Sequence, residues 1–346
     1  MHRIGIVGYY NARNFGDDLM AVLFAEIVRK HGHEPVVLSD SSAIEACGVP
    51  TCSNATDLFK CTDAVILGGG GVLQEAPSDD VTSLGHQFSR TLLDIAKLAG
   101  RYDKPLYAAS IGGSSSSPST VRPLRYGVVA FLASASLKFA TTRLQSDLSC
   151  LHYLSTEVEY APDVVLATDY FLANHPRRSI SPDTINAFGV QDMPRYYAAR
   201  LVRMSNRGTL PPLIFFHGTT ESRDQYIRQV PESRECEHKV LSLSIVESLN
   251  CIQELKGVIA SRLHFGVTAL SFGVPFFTIN ASKKVNAFFS DLALNTPTLD
   301  VGILSRRRSN LPVNYLVGAC YAEQLSQARI AARRHGDVVV RGCHLR

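Results

Sequence analysis

The sequence predicts an α/β protein built from two Rossmann-like domains that face a central cleft. Short apolar runs alternate with helical patterns along most of its length, which is how parallel sheets with covering helices read. The alternation comes as two series, separated by irregular text rich in Pro, Arg and Asn. With 346 residues, 45% of them hydrophobic and 19% charged, the chain can bury the cores of two domains rather than one.

The elements follow in order. RIGIVGYY predicts a first strand, and DDLMAVLFAEIVRKHG a helix with apolar residues at helical spacing and a glycine stop at Gly32. EPVVLS is a second strand. DAVILGGGG is a third running into a glycine turn, and HQFSRTLLDIAKLAGRY is a second clear helix. PLYAASIGG, KFATTR and EYAPDVVL complete a sheet of about six strands, an ordinary size. Residues 1–166 therefore form the N-terminal domain and residues 167–211 a linker region with some helix. Residues 212–346 form the C-terminal domain, with strands PLIFFHG, KVLSL, GVIAS and PFFTI separated by helical segments such as SIVESLNCIQEL and LHFGVTALSFG. The last helix, YAEQLSQARIAARRHG, is expected to pack back on the N-terminal domain. The triple Arg306-Arg307-Arg308 reads as a solvated turn.

Charge and cysteine usage narrow the function classes. The net charge of +4, from 35 basic and 31 acidic residues, is too small for a nucleic-acid surface. MHRIGIVGYY reads as a core strand and not a signal peptide, and no apolar run reaches the length of a membrane span. The expected location is the cytoplasm. The eight cysteines include no C-x-x-C pair, which favours reduced structural thiols over a zinc knuckle or a disulfide framework. His31, His33 and Glu34 sit where the first helix ends and read as exposed residues, so no metal site is expected.

Functional loops of doubly wound sheets lie at the carboxyl ends of strands. The first, YYNARNFGDD, has neither G-x-G-x-x-G nor the lysine of a P-loop, so the dinucleotide and nucleoside-triphosphate readings lose their best support. It leaves Asn14, Gly16, Asp17 and Asp18 at a helix start. Capping needs one aspartate and there are two, so Asp17 or Asp18 is a candidate for binding or proton transfer. In the second, LGGGGVLQE, Gly69, Gly70 and Gly71 are expected to bring backbone amides close to a ligand. The third, SIGGSSSSPST, reads equally as a mobile lid or a surface loop.

The fourth lies in ASRLHFGVTALSFGVP. Arg262 ends strand GVIAS and His264 falls in the first turn of the next helix, beside free backbone amides that favour an anion. A guanidinium at the end of a buried strand calls for a compensating anion, within reach of Lys283 or Lys284 after PFFTIN. Arg143, ending KFATTR, is a further cation facing the same cleft. Cations from three separate strands suggest a ligand with a phosphate and a carboxylate.

NFGDDLM, DAVILGGGGVL, TTRLQSDLSCL, APDVV and, above all, SRLHFGVTALSFGVPFF followed by KKV resemble the polysaccharide pyruvyl transferase family, in order from about residue 3 to about residue 295. The resemblance implies a fold similar to two-domain GT-B glycosyltransferases. It also implies an enzyme that moves the enolpyruvyl unit of phosphoenolpyruvate onto two hydroxyls of one sugar, forming a cyclic pyruvate ketal and releasing phosphate. Arg262 and His264 fall on the family's R-L-H pair, Lys284 on its lysine preceding valine, and Arg143 on the arginine of an R-D-x-x-S type motif, where Leu144 replaces the aspartate.

On this basis the donor side comprises Arg262, Arg143, Lys284 and Lys283, with His264 as the acid that protonates C3 of the enol ether. Asp17 or Asp18 orients or deprotonates the acceptor hydroxyl, and Asn14, Gly69, Gly70 and Gly71 bind the acceptor. Phosphoenolpyruvate is a co-substrate, no cofactor is required, and the partner is a sugar acceptor, either free or lipid-linked at the inner membrane face. Two alternatives stay open: a GT-B glycosyltransferase using a nucleotide sugar, and a non-catalytic glycan-binding relative.

Overall fold

A computed structural model describes residues 1–12, 14–73, 83–113, 124–152, 154–173, 186–191, 193–298 and 322–336. The chain divides into two compact units, Met1–Leu172 with Ile330–Arg346, and Ala173–Arg329. The serine-rich loop from 114 and the arginine triple at 306–308 lie outside the described residues.

The first unit contains β1 (Arg3–Val7), α1 (Phe15–Lys30), β2 (Glu34–Leu38), α2 (Ser42–Glu45), β3 (Thr51–Cys52), α3 (Ala55–Cys61) and β4 (Ala64–Leu73). It continues with α4 (Leu84–Tyr102), β5 (Leu106–Gly113), α5 (Tyr126–Leu132), β6 (Leu137–Thr142), β7 (Val158–Tyr160) and α6 (Thr168–Phe171). Its sheet has seven parallel strands in the order β3-β2-β1-β4-β5-β6-β7. The central strands are apolar because both faces are covered: Ile4, Ile6, Val65, Ile66 and Leu67 are all buried. One core cluster joins Leu58 and Phe59 of α3, Leu92 and Ile95 of α4, and Val128 and Phe131 of α5 to β4 and β5. Helix α1 is buried from Phe15 to Ala25, against β2, β4 and the segment from Val164 to Phe171. The seventh strand is the two-residue β3, too short to leave a period in the sequence.

The second unit contains β8 (Phe188–Gln191), α7 (Arg195–Asn206), β9 (Leu213–His217), α8 (Thr220–Gln229), β10 (Glu237–Val240) and α9 (Ile245–Gln253). Then come β11 (Gly257–Ala260), α10 (Leu263–Ser271), β12 (Phe276–Phe277), α11 (Lys283–Asp291) and the start of α12 (Ala322–Ala332). The strands are parallel in the order β10-β9-β8-β11-β12. This repeats the centre-outward winding of the first unit and places its switch point between β8 and β11. Residues 167–211, expected to be a linker, hold β8, the middle strand of this sheet, and α7, which buries Leu201 and Val202 in its core. EYAPDVVL is likewise not one strand: β7 ends at Tyr160 and a 3-10 turn covers Val164–Ala167.

At Ile330 the chain returns to the first unit, where His335 is fully buried. One ring nitrogen meets the Thr141 hydroxyl at 2.9 Å and the other the Pro162 carbonyl at 2.8 Å. The carbonyl can only accept, so Nε2 carries the proton and Nδ1 accepts from Thr141. Burial, opposed by the Pro162 bond and by Asp163, pulls this imidazole from 6.5 down to about 4. The unfolded chain therefore takes up a proton between about pH 6.5 and 4 that the fold refuses, so this contribution is complete above that window and is lost as pH falls through it. His335→Gln, whose amide can serve both partners without titrating, is expected to flatten the pH dependence of urea unfolding by roughly 3 kcal/mol across the window. Parallel profiles for the two proteins would exclude the assignment.

Candidate functional site

In the first unit the switch point lies between β1 and β4, and α1 starts there. Asn14 is its N-cap: its Oδ1 accepts from the Gly16 amide at 3.2 Å, and its Nδ2 donates to Asp17 Oδ2 at 2.7 Å. Both polar ends of Asn14 are thus engaged in ordering the helix start. Its expected part in acceptor binding gives way to capping and to orienting Asp17. Capping by Asn14 leaves both aspartates for other work. Asp17 and Asp18 are both buried, Asp18 at 1% exposure. The Ser41 hydroxyl reaches Asp18 Oδ2 at 3.4 Å, while Asp18 Oδ1 has no hydrogen-bond partner among the described residues. Burial first, and Asp17 second, push the Asp18 carboxyl up to about 7 against a smaller opposing effect of Ser41. Near neutral pH this group can both give and take a proton.

The glycine run is not a turn. Gly68 to Gly71 lie inside β4, which continues to Leu73 with a register shift against β5 between Gly70 and Leu73. Gly69 and Gly70 have φ of +76° and +90°, and a Cβ on them would stand 2.6 Å from Met20 Sδ and 3.2 Å from Asp17 Oδ1. Lack of a side chain here admits α1, and Asp17 in particular, against the strand. Gly69 and Gly70 are buried beneath the helix, and only Gly71 of the three expected ligand contacts is partly exposed.

Arg143 follows β6 and is 2% exposed, with Nη1 3.2 Å from Asp163 Oδ2. Its charge is met inside the unit by a buried carboxylate, while Arg262, Lys283 and Lys284, the other expected donor-side cations, lie in the second unit. Leu144 is buried beside it. A carboxylate still comes to this strand end, from Asp147, which accepts from the Gly113 amide at 3.0 Å.

In the second unit β11 ends at Ala260 and Arg262 is the N-cap position of α10, without a side-chain cap bond. Arg262 is exposed and His264 partly buried, so the argument from the sequence that a buried guanidinium calls for an anion does not apply to Arg262. The Thr268 hydroxyl donates to the His264 carbonyl at 2.7 Å, inside the helix. Lys283 and Lys284 open α11, capped by Ser282, and residues 278–282 separate them from the end of β12. Strands β11 and β12 are hydrogen-bonded neighbours with Val258 beside Phe276 and Ile259 beside Phe277. The Arg262-His264 turn and the Lys283-Lys284 turn therefore leave adjacent strands at the same sheet edge, each at a helix N-terminus where anions are favoured.

Two residues at that edge were missed. Gln191 ends β8 beside Ala260, is buried, and has an Oε1 without a hydrogen-bond partner among the described residues. His217 ends β9, with Nε2 2.9 Å from His238 Nδ1; burial and then His238 pull it down to about 4. The run FFHG, a histidine at a strand end before glycine, was the available signal for His217.

The architecture is that of the GT-B fold. The solved structures it resembles include MnaA from S. aureus with UDP (TM-score 0.61, 11% identity, 96% of this chain and 94% of that one). The UDP-GlcNAc 2-epimerase from Methanocaldococcus jannaschii follows (TM-score 0.60, 10% identity, 99% and 100%), as does HepE from Anabaena with UDP and glucose (TM-score 0.52, 10% identity, 98% and 97%). Identities this low carry the fold alone. No curated protein sequence matches the chain. The profile of the polysaccharide pyruvyl transferase family matches residues 14–283, and the chain belongs to that family.

Proposed function

We propose that this protein transfers the enolpyruvyl unit of phosphoenolpyruvate to two hydroxyls of one sugar residue in a polysaccharide or its lipid-linked precursor, forming a pyruvate ketal and releasing phosphate. The observation that carries it is the pair of cationic turns, Arg262 with His264 and Lys283 with Lys284, at adjacent strand ends of a chain in this family. Phosphoenolpyruvate presents a phosphate and a carboxylate, which exposed Arg and Lys side chains hold by charge-assisted hydrogen bonds. His264 gives a proton to C3, and C2 gains oxocarbenium character. One acceptor hydroxyl bonds to C2 and passes its proton to a general base. The second hydroxyl then displaces phosphate from C2, and its proton leaves with the phosphate or with solvent. The cations stabilise the departing phosphate. No helix among the described residues is long and apolar enough to cross a membrane.

Phosphate release from phosphoenolpyruvate with a panel of synthetic and lipid-linked saccharides tests this. Arg262→Ala is expected to weaken phosphoenolpyruvate binding by about 10- to 100-fold in a calorimetric titration, the loss of one charge-assisted contact. Because Arg262 is exposed, its removal should shift the melting temperature only slightly. Unchanged donor affinity would make this cation structural. Thermal protection by a UDP-sugar, with none from phosphoenolpyruvate, would favour a nucleotide-sugar enzyme instead.

A further inference from the structure

The first unit has a pocket of about 590 Å³ that the donor chemistry does not use. Its volume falls within the roughly 300–1,000 Å³ of small-molecule sites. It opens at the carboxyl ends of β1 and β2, between the residues that follow β1, the start of α3 and one face of α4. The two tyrosines after β1 divide the work there. Tyr10 is buried and its hydroxyl donates to the Gly68 carbonyl, which pins the turn to β4. Tyr9 stays partly exposed, and its ring meets Phe88 of α4 edge to face, with centroids 5.4 Å apart. Around this aromatic corner stand short polar side chains, among them Asn11, Gln87 and Thr91. Asn11 Oδ1 accepts from Ser39 Oγ at 3.0 Å and from the Asp40 amide at 3.1 Å, so its amide nitrogen is the end left to serve a ligand.

This lining suits a neutral polyol with an apolar face. The C–H side of a pyranose ring packs on aromatic carbon, whose π face is electron-rich, while its hydroxyls need scattered donors and acceptors. A nucleotide would need several cations or a glycine-rich turn for its phosphates. Among the described lining residues Lys97 is the one positive side chain, and it sits one helical turn from Asp94. Burial pushes the Tyr9 phenol above its usual range, with Arg125 opposing and Asp17 adding to the shift.

We infer that this pocket binds a pyranose unit of the acceptor saccharide, stacked on the Tyr9-Phe88 corner and hydrogen-bonded by Asn11 and Thr91. The assignment rests on pyruvyl transfer to a sugar and names where that sugar is held. Tyr9 and Asn11 lie in the loop YYNARNFGDD already marked as functional, but Phe88 lies far along the chain, so only the fold shows the aromatic corner.

The chain contains no tryptophan, so Phe88→Trp introduces a single tryptophan, excited selectively over the tyrosines, at the stacking position while preserving an aromatic face. A library of neutral mono- and disaccharides is titrated against this variant without phosphoenolpyruvate, alongside UDP. At least one saccharide is expected to shift the emission saturably. Thr91→Arg in the same background, at a partly exposed helix position, should weaken that response by more than 10-fold with the melting temperature retained. A response to no saccharide, a response that Thr91→Arg leaves intact, or a response to UDP alone would overturn the assignment. Because the titration uses no donor, saccharide binding here followed by no phosphate release once phosphoenolpyruvate is added would sink pyruvyl transfer and leave the pocket standing; transfer unaffected by Thr91→Arg would do the reverse.

Discussion

His264→Ala is expected to lower turnover by about 10²- to 10⁴-fold, the range for removing a general acid, while phosphoenolpyruvate affinity changes far less. The imidazole sits in the first turn of α10, two residues beyond Arg262, on a backbone held by the Thr268 hydroxyl. It is partly exposed, so truncation leaves no large cavity and the fold should survive. The contrast with Arg262→Ala is the informative part. A group that only holds the donor shows its loss in binding, whereas a proton donor acts in the transition state. The two side chains are close enough in sequence to couple, so the double variant need not show the sum of both losses. Calorimetry with phosphoenolpyruvate, paired with rates of phosphate release across pH, separates the roles. Full activity in His264→Ala would move the acid elsewhere. Equal losses in affinity and turnover would make His264 a donor-binding residue instead.

Both cationic turns were legible in the sequence because each follows a recognisable buried strand and opens a recognisable helix. The strands themselves could be read wherever apolar runs were long, as in β1, β4 and β5. β8 could not: AFGVQ holds few apolar residues, is interrupted by glycine, and lies in a stretch of arginines and prolines. Its neighbours β9 and β11 supply the context that makes it central, and that context is tertiary. The glycines after DAVIL were misread for a related reason. Four glycines suggest a turn locally, but pairing with β5 holds them in a strand, and α1 uses the missing side chains to approach. Arg143 shows the limit for charges. Its partner Asp163 is brought to it by the sheet, and a guanidinium already paired in the core reads from sequence like one waiting for a ligand. For the aspartates the sequence pointed to a surplus but could not rank them, because the cap it left unassigned is Asn14.

Asp18→Asn is expected to stabilise the protein at pH 8 while reducing its activity. Asp18 is buried, its Oδ1 lacks a partner among the described residues, and its carboxyl is pushed up to about 7 by burial and by Asp17. A carboxylate ionising near 3.8 when unfolded and near 7 when folded favours the native state only when protonated. Its contribution is therefore complete below about pH 4, declines as pH rises through the window, and settles at a constant penalty above about pH 7. An amide of the same shape keeps the Ser41 contact and does not titrate. The expected gain in unfolding free energy at pH 8 is roughly 2–4 kcal/mol, vanishing near pH 4, and urea titrations of both proteins at pH 4, 6 and 8 would measure it. The catalytic half of the expectation follows from the same number. A group that titrates near the working pH is suited to accept a hydroxyl proton and release it again, and retaining it against a stability cost of this size is intelligible if turnover depends on it. Asp17→Asn provides the comparison, since Asp17 is fixed by Asn14 and faces Gly70. Loss of turnover in Asp18→Asn with little change in Asp17→Asn would assign the proton transfer to Asp18, and the opposite pattern to Asp17. A stabilised Asp18→Asn protein with wild-type turnover would return Asp18 to a structural residue, and an unchanged stability profile would show that its carboxyl ionises normally in the fold.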